Sequence, residues 1–257
     1  MHLEARSFRA VQGDLDHPAS RPLRILDLNL QSYRMCTPAE EDWWRARWNL
    51  SRNLRLPPRW FRIYAEKTFT YDSRFLDLLD GTCLRGYFQS ERYFDEIKAD
   101  VRAAFQPRDP ALLFKVDLEL QKLRHKGRAL VAVHVRRGDF LDLPERDCLT
   151  SDQFLEAAMA MFPKAHFLIF SDDPDWCRER FSARQDVSFS PFTRVLDDFF
   201  AMARCDHHIL AKSTFSWWAA WLNPSPRHKV IAPRITQDLT WAGASPDYYP
   251  QEWTLLG

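Results

Sequence analysis

Two short runs, ALVAVHV at 129–135 and AHFLIFS at 165–171, are apolar almost throughout. A strand that alternates apolar and polar residues buries one face. A strand apolar on both faces must be covered on both, which is the situation inside a parallel sheet. HHILA (207–211) and KVIAP (229–233) are shorter runs of the same kind. Between these runs stand SDQFLEAAMAMF, PDWCRERF, VLDDFFAMARC and STFSWWAAWL, all of which read as helices. Strand and helix therefore alternate from 129 to 233, which predicts a doubly wound α/β domain with a parallel sheet.

Ahead of this region the pattern is largely helical. From Asp42 to Arg62 the chain reads DWWRARWNLSRNLRLPPRWFR, six arginines among five aromatic residues with no acid after Asp42. Trp44, Trp48, Arg52 and Arg55 keep helical spacing until Pro57-Pro58 stops the helix. SERYFDEIKADVRAAF predicts an amphipathic helix capped by Ser90, and DPALLFKVDLELQKLRHKG another, closed by Gly127. Residues 1–20 are polar and aperiodic and are expected to be disordered. The expected division is a smaller, largely helical or incomplete N-terminal domain over 21–108 and a Rossmann-type domain over 109–257.

Composition narrows the function classes. A net charge of +1 gives no overall field that would draw nucleic acid, so any anion site must be local. Cys36, Cys83, Cys148, Cys177 and Cys205 are odd in number and include no CxxC pair, which fits a reducing compartment and neither a disulfide framework nor a zinc site. The N-terminus lacks the apolar segment of a secretory signal, and no run approaches the roughly 20 apolar residues of a membrane helix. The expected location is the cytoplasm. The arginine-tryptophan stretch 43–62 offers a peripheral contact with an anionic membrane face, against the simpler reading of a solvated helix face.

In open α/β sheets ligands bind beyond the carboxyl ends of the strands. Three polar clusters fall at such ends: HVRRGD after the first strand, SDDPDW after the second and AKSTFSWW after HHILA. Arg136 and Arg137 offer guanidinium forks that match phosphate oxygens; the plain alternative is a surface salt bridge. Arg137-Gly138-Asp139 has the form of an adhesive tripeptide, but a core strand directly precedes it, and an adhesive loop would have to be free. Ser213 and Thr214 open a helix and suit an anion or, equally when taken alone, an ordinary N-cap. Asp172 and Asp173 suit a ribose or base edge, or again a helix cap. His134 alone reads as a core histidine. No spacing suggests a third metal ligand beside the acidic pair. Together the clusters describe a diphosphate held by arginines and a helix N-terminus, a nucleotide-sugar or dinucleotide site.

HVRRGDF, FSDDPDW and STFSWWAAWL resemble the bacterial α-1,2-fucosyltransferases, inverting enzymes of the GT-B type that use GDP-fucose. GYFQSERYF (86–94), VIAP (230–233) and YYPQEW (248–253) extend the likeness. The resemblance implies transfer of L-fucose from GDP-fucose to a glycan hydroxyl, O2 of a terminal galactose, on an oligosaccharide or surface-polysaccharide acceptor. By similarity Arg136 binds the pyrophosphate and meets the charge on the departing β-phosphate, assisted by Arg137. His134 and Asp172 address the nucleoside, and Ser213, Thr214 and Phe215 hold phosphate. No metal or cofactor is then required, and no nucleic-acid partner. Asp139 and Glu145 are the candidates for the base that accepts the hydroxyl proton; acceptor contacts are not legible. Two departures stand out. A glycine-rich GGLGNQ loop that family members carry ahead of the region matching Arg21 is not found, which motivates a second reading as a non-catalytic GDP-sugar-binding remnant. Lys212 also stands where the family commonly has Asn.

Overall fold

The computed structural model describes residues 2–3, 27–29, 34–35, 37–68, 70–124, 127–138, 141, 149–235 and 246–257. The chain divides into two compact units: residues 1–106 with 242–250, and residues 107–241 with 251–257. Thus 242–250, sequence expected to run on within the Rossmann-type domain, groups with the N-terminal unit.

In the first unit β1 (His2–Leu3) pairs in parallel with β2 (Arg34–Met35). Helix α1 (Pro38–Asn53) begins at Thr37, whose hydroxyl accepts from the Glu40 N–H while the Glu40 carboxylate accepts from the Thr37 N–H, a reciprocal capping box. Pro38 then occupies the first helical position, where its missing N–H costs nothing. A 3₁₀ turn, Pro58–Phe61, leads into β3 (Ile63–Ala65), which pairs in parallel with β4 (Cys83–Arg85). The helix expected after Ser90 is broken in two. Glu91–Ile97 is 3₁₀, Phe94 leaves helical geometry at φ −135°, and α2 runs only over Lys98–Ala104. The break falls next to a ring cluster, in which Tyr93 meets Phe75, Phe88 and Tyr71 at 4.8, 5.4 and 4.9 Å between centroids.

The second unit holds α3 (Ala111–Leu123), β5 (Leu130–Val135), α4 (Asp152–Ala160), β6 (His166–Ser171), α5 (Pro174–Arg180), β7 (Val187–Phe189), α6 (Val195–Ala203), β8 (His207–Ile209), α7 (Thr214–Trp221), β9 (Val230–Pro233) and β10 (Thr254–Leu256). The six strands form one parallel sheet in the order β7-β6-β5-β8-β9-β10. Counted in chain order this is 3-2-1-4-5-6, the dinucleotide-binding arrangement, with its order reversing between β5 and β8. The four apolar runs are the four inner strands. β7 and β10 are half-buried, three-residue edge strands, too short to show any period.

Both faces of the sheet are covered, as the continuous apolar runs demand. Val131, Val133 and Val135 of β5 and Phe167 and Ile169 of β6 pack with Phe154, Leu155, Ala158 and Met159 of α4 and with Cys177 of α5. Side chains alternate along a strand, so Leu130, Ala132 and His134 turn the other way. On that face His208 of β8 bonds through Nε2 to the Met202 carbonyl of α6 at 2.9 Å, and the His134 ring lies 5.7 Å from that of Phe215 in α7.

Candidate functional site

The carboxyl ends of β5, β6 and β8 lie side by side, because β5 is hydrogen-bonded to both neighbours in register (His134 opposite Phe170, Val133 opposite Ile209). The residues just beyond these three strands therefore gather at one edge of the second unit. After β5 come Arg136 and Arg137, and after β6 come Asp172 and Asp173. Arg136 Nη1 lies 2.6 Å from Asp172 Oδ2, and Arg137 Nε lies 3.1 Å from Asp173 Oδ2. The Arg137 backbone N–H donates to Asp172 Oδ1 at 2.9 Å. Both pairs are mostly shielded, with side-chain exposures of 17% and 25% for Arg136 and Asp172, so each carboxylate fixes its guanidinium in place more firmly than an open surface pair would.

Gly138 explains the local sequence. A Cβ at that position would stand 2.6 Å from Asp172 Oδ2, well inside contact distance. The glycine lets the backbone after β5 pass against the carboxylate that holds Arg136. Arg137 is held on a further side by Trp176 of α5, whose ring centroid lies 4.0 Å from the guanidinium carbon. Asp173 also caps α5, accepting the Trp176 N–H at 3.2 Å. The acidic pair thus divides. Asp173 is both cap and arginine partner, and Asp172 reaches across to the β5 end.

After β8 the chain turns into α7. Ser213 is its N-cap, accepting the Phe215 N–H at 3.3 Å, and Thr214 is exposed at the first position. The helix N-terminus, with its outward N–H groups, therefore opens beside the strand that precedes the arginines. His134 and Phe215 link the two: the imidazole is buried at 6% exposure and faces the Phe215 ring. Burial lowers its pKa to about 4, the Arg136 charge acting the same way and Asp172 against it, so it is neutral at pH 7. Its Nδ1 has no hydrogen-bond partner among the described residues.

His134, Arg136, Arg137, Asp172, Ser213, Thr214 and Phe215 are thus all at one sheet edge, astride the reversal of strand order. Asp139 and Glu145 lie outside the described residues. Motifs alone do not single out Gly138 and Trp176. Their signals are present, a glycine directly after the arginine pair and a tryptophan at the third position of the capped helix, but their use depends on β6 lying beside β5. Among the described residues no group of three or more His, Cys, Asp or Glu side chains could hold a metal ion.

The family model for glycosyl transferase family 11 matches residues 67–256. The chain belongs to this family. Among curated relatives, an alpha-1,2-colitosyltransferase of Escherichia coli is 34% identical over 164 residues, which are 58% of this chain and 53% of that protein. The O-antigen biosynthesis glycosyltransferase WbnK of Escherichia coli is 27% identical over 194 residues, 68% of this chain and 64% of that protein. Galactoside alpha-(1,2)-fucosyltransferase 1 of Aotus nancymaae is 30% identical over 201 residues, 67% of this chain and 54% of that protein. The family 11 chain therefore spans between about half and two thirds of these relatives' length. Solved structures with some similarity include fucosyltransferase NodZ from Bradyrhizobium (20% identity, 57% of this chain and 53% of that one, TM-score 0.39) and POFUT1 in complex with GDP (14%, 63% and 50%, TM-score 0.39).

Proposed function

We propose that this family 11 chain is an inverting fucosyltransferase of GT-B organisation whose second unit binds GDP-fucose at the β5/β8 edge. The observation that carries the reading is the placement of Arg136, Arg137 and the Ser213-capped helix on either side of the strand-order reversal. A pyrophosphate there meets two guanidinium groups and a set of backbone N–H donors, enough positive character to do without a divalent cation. On this reading a neutral His134 and Asp172 address the nucleoside; the buried Nδ1 without a hydrogen-bond partner supports it. The donor is a substrate, and no separate cofactor is implied.

In the reaction an acceptor hydroxyl oxygen attacks the anomeric carbon of fucose while that carbon's bond to the β-phosphate oxygen breaks. GDP leaves with the electron pair, and the hydroxyl proton passes to a base. Negative charge grows on the β-phosphate as the bond opens. Arg136, fixed beforehand by Asp172, meets it without reorganising. The names of the relatives favour O2 of a galactose as the attacking group. The proposed setting is the bacterial cytoplasm. There the exposed Trp43, Leu50, Leu54 and Trp60, set among the arginines of 43–62, are suited to the inner membrane face. The test is GDP release from GDP-fucose in EDTA with a panel of galactose-terminated glycans. Acceptor-dependent release is expected, and none with any acceptor, with or without added Mg²⁺ or Mn²⁺, would contradict the reading.

A further inference from the structure

Helix α1 and the 3₁₀ turn after it carry exposed apolar side chains among arginines. Trp43, Leu50 and Leu54 recur at i, i+7 and i+11, which places them along one side of the helix. With Trp60 of the turn they are between 47% and 63% exposed. The helix packs through another side, where Glu41 and Ser51 are buried. A single exposed apolar residue needs no explanation, but four large ones in one short segment mark a contact surface.

Internal contacts fix this surface. Arg47 Nε donates to the Phe61 carbonyl at 3.1 Å, and its guanidinium carbon lies 4.4 Å from the Trp43 ring centroid and 5.8 Å from that of Phe61. One arginine thereby holds the 3₁₀ turn, with Trp60, to the Trp43 side of the helix. At the helix end the Ser51 hydroxyl donates to the Leu56 carbonyl at 2.8 Å and the Leu56 N–H to the Ser51 carbonyl at 2.9 Å. The chain turns there, with Arg55 in the left-handed region at φ +54°. Arg52, Arg55, Arg59 and Arg62 are exposed, and none of the four is paired with a carboxylate among the described residues. The acids of the helix, Glu40, Glu41 and Asp42, all precede Trp43.

We propose that this face docks on an anionic phospholipid bilayer, the indole and leucine side chains entering the headgroup region and the arginines meeting lipid phosphates. This takes further the membrane setting proposed for the chain and draws nothing from the donor edge. Charge and shape select the occupant. Residues 43–62 hold six arginines and no acid in a chain of net charge only +1, so the rest of the molecule is net acidic. A flat anionic surface touches the patch alone, and screening over about 8 Å at physiological salt shields it from the remainder. A long nucleic acid strand would run past that acidic remainder and would leave Leu50 and Leu54 without a partner. A second copy in two-fold contact would set these arginines against one another.

The experiment sediments the full chain with vesicles of phosphatidylcholine alone and of equimolar phosphatidylcholine and phosphatidylglycerol. Leu50→Gln/Leu54→Gln removes the apolar stripe. Arg52→Gln/Arg55→Asn removes charge, Asn being tolerant of the left-handed backbone. All four side chains are exposed, so the fold should be kept, which far-UV circular dichroism checks. The parent is expected to bind anionic vesicles at least about tenfold more tightly than neutral ones, less so as salt is raised, and each double variant to lose at least about tenfold. No binding to anionic vesicles, equal binding to both kinds, or anionic binding that either variant leaves unchanged overturns the proposal. So does a dimer that Leu50→Gln/Leu54→Gln dissolves in a chain that ignores vesicles, or an oligonucleotide bound in preference to them. The assay contains no GDP, so the two readings fail separately. Vesicle binding by a chain that fails to bind GDP leaves the membrane face standing and removes the donor site, and the reverse result does the opposite.

Discussion

Arg136 and Arg137 are adjacent, yet their surroundings separate them. Arg136 pairs with Asp172 at the sheet edge, while Arg137 is pinned by Asp173 and the Trp176 ring. Arg136→Lys keeps the charge but loses the planar fork. If Arg136 meets the growing β-phosphate charge, kcat should fall by about 10²–10³, the usual cost of losing one preorganised donor, with a smaller loss of GDP affinity. Arg137→Lys should lower GDP affinity and stability with a smaller effect on kcat, because lysine keeps a charge for the pyrophosphate but cannot reproduce the flat stacking on Trp176. The check is steady-state GDP release for both variants; equal, mild effects would contradict the separation of roles. At this scale the sequence shows which residue types gather at the strand ends. It cannot show that Asp172 reaches back to Arg136, since that needs β6 registered against β5.

Among the elements, the buried strands are legible because burial on both faces leaves an unbroken apolar run, and the helix starts because Ser151, Asp173 and Ser213 cap them. The edge strands β7 and β10 leave no such trace, and helical spacing does not mark the break at Phe94. Helix α6 carries a further feature without a sequence signal. Asp198 bonds to the Ser190 hydroxyl beside the end of β7, and burial, reinforced by neighbouring Asp197, raises its pKa from 3.8 to about 6. A carboxyl with a raised folded-state pKa binds more protons folded than unfolded between those values. Its contribution to stability is therefore present below about pH 4 and lost as pH rises through 6. Asp198→Asn should remove that loss, and at pH 7–8 it should stabilise the chain by up to about 3 kcal/mol, less whatever the Ser190 hydrogen bond contributes. Urea melts of both chains at pH 4, 6 and 8 test this; a variant less stable by the same margin at every pH would contradict it.

At the scale of the whole molecule the buried histidines set the opposite trend. Burial lowers His134 to about 4 and His208 to about 3, and both are neutral in the folded chain near pH 7. Unfolded imidazoles titrate near 6.5, so the unfolded chain takes up more protons below that pH. The stability they carry is present above about 6.5 and is lost as pH falls toward 4. Two imidazoles outweigh the single carboxyl of Asp198, so Tm should drop between pH 7 and 5; a Tm that rises over that interval would contradict the burial assigned to them. His134 belongs to the same sheet edge as well, which ties this titration to the proposed GDP site at the β5 arginines and the start of α7. The direct measurement is calorimetric titration of GDP into the chain in EDTA, repeated with Ser213→Ala/Thr214→Ala. Binding without metal is predicted, weakened at least about tenfold, or about 1.4 kcal/mol, in the double variant. No binding until a divalent cation is added, or an affinity that the double variant leaves unchanged while only its stability falls, would contradict a metal-free pyrophosphate clamp at this edge.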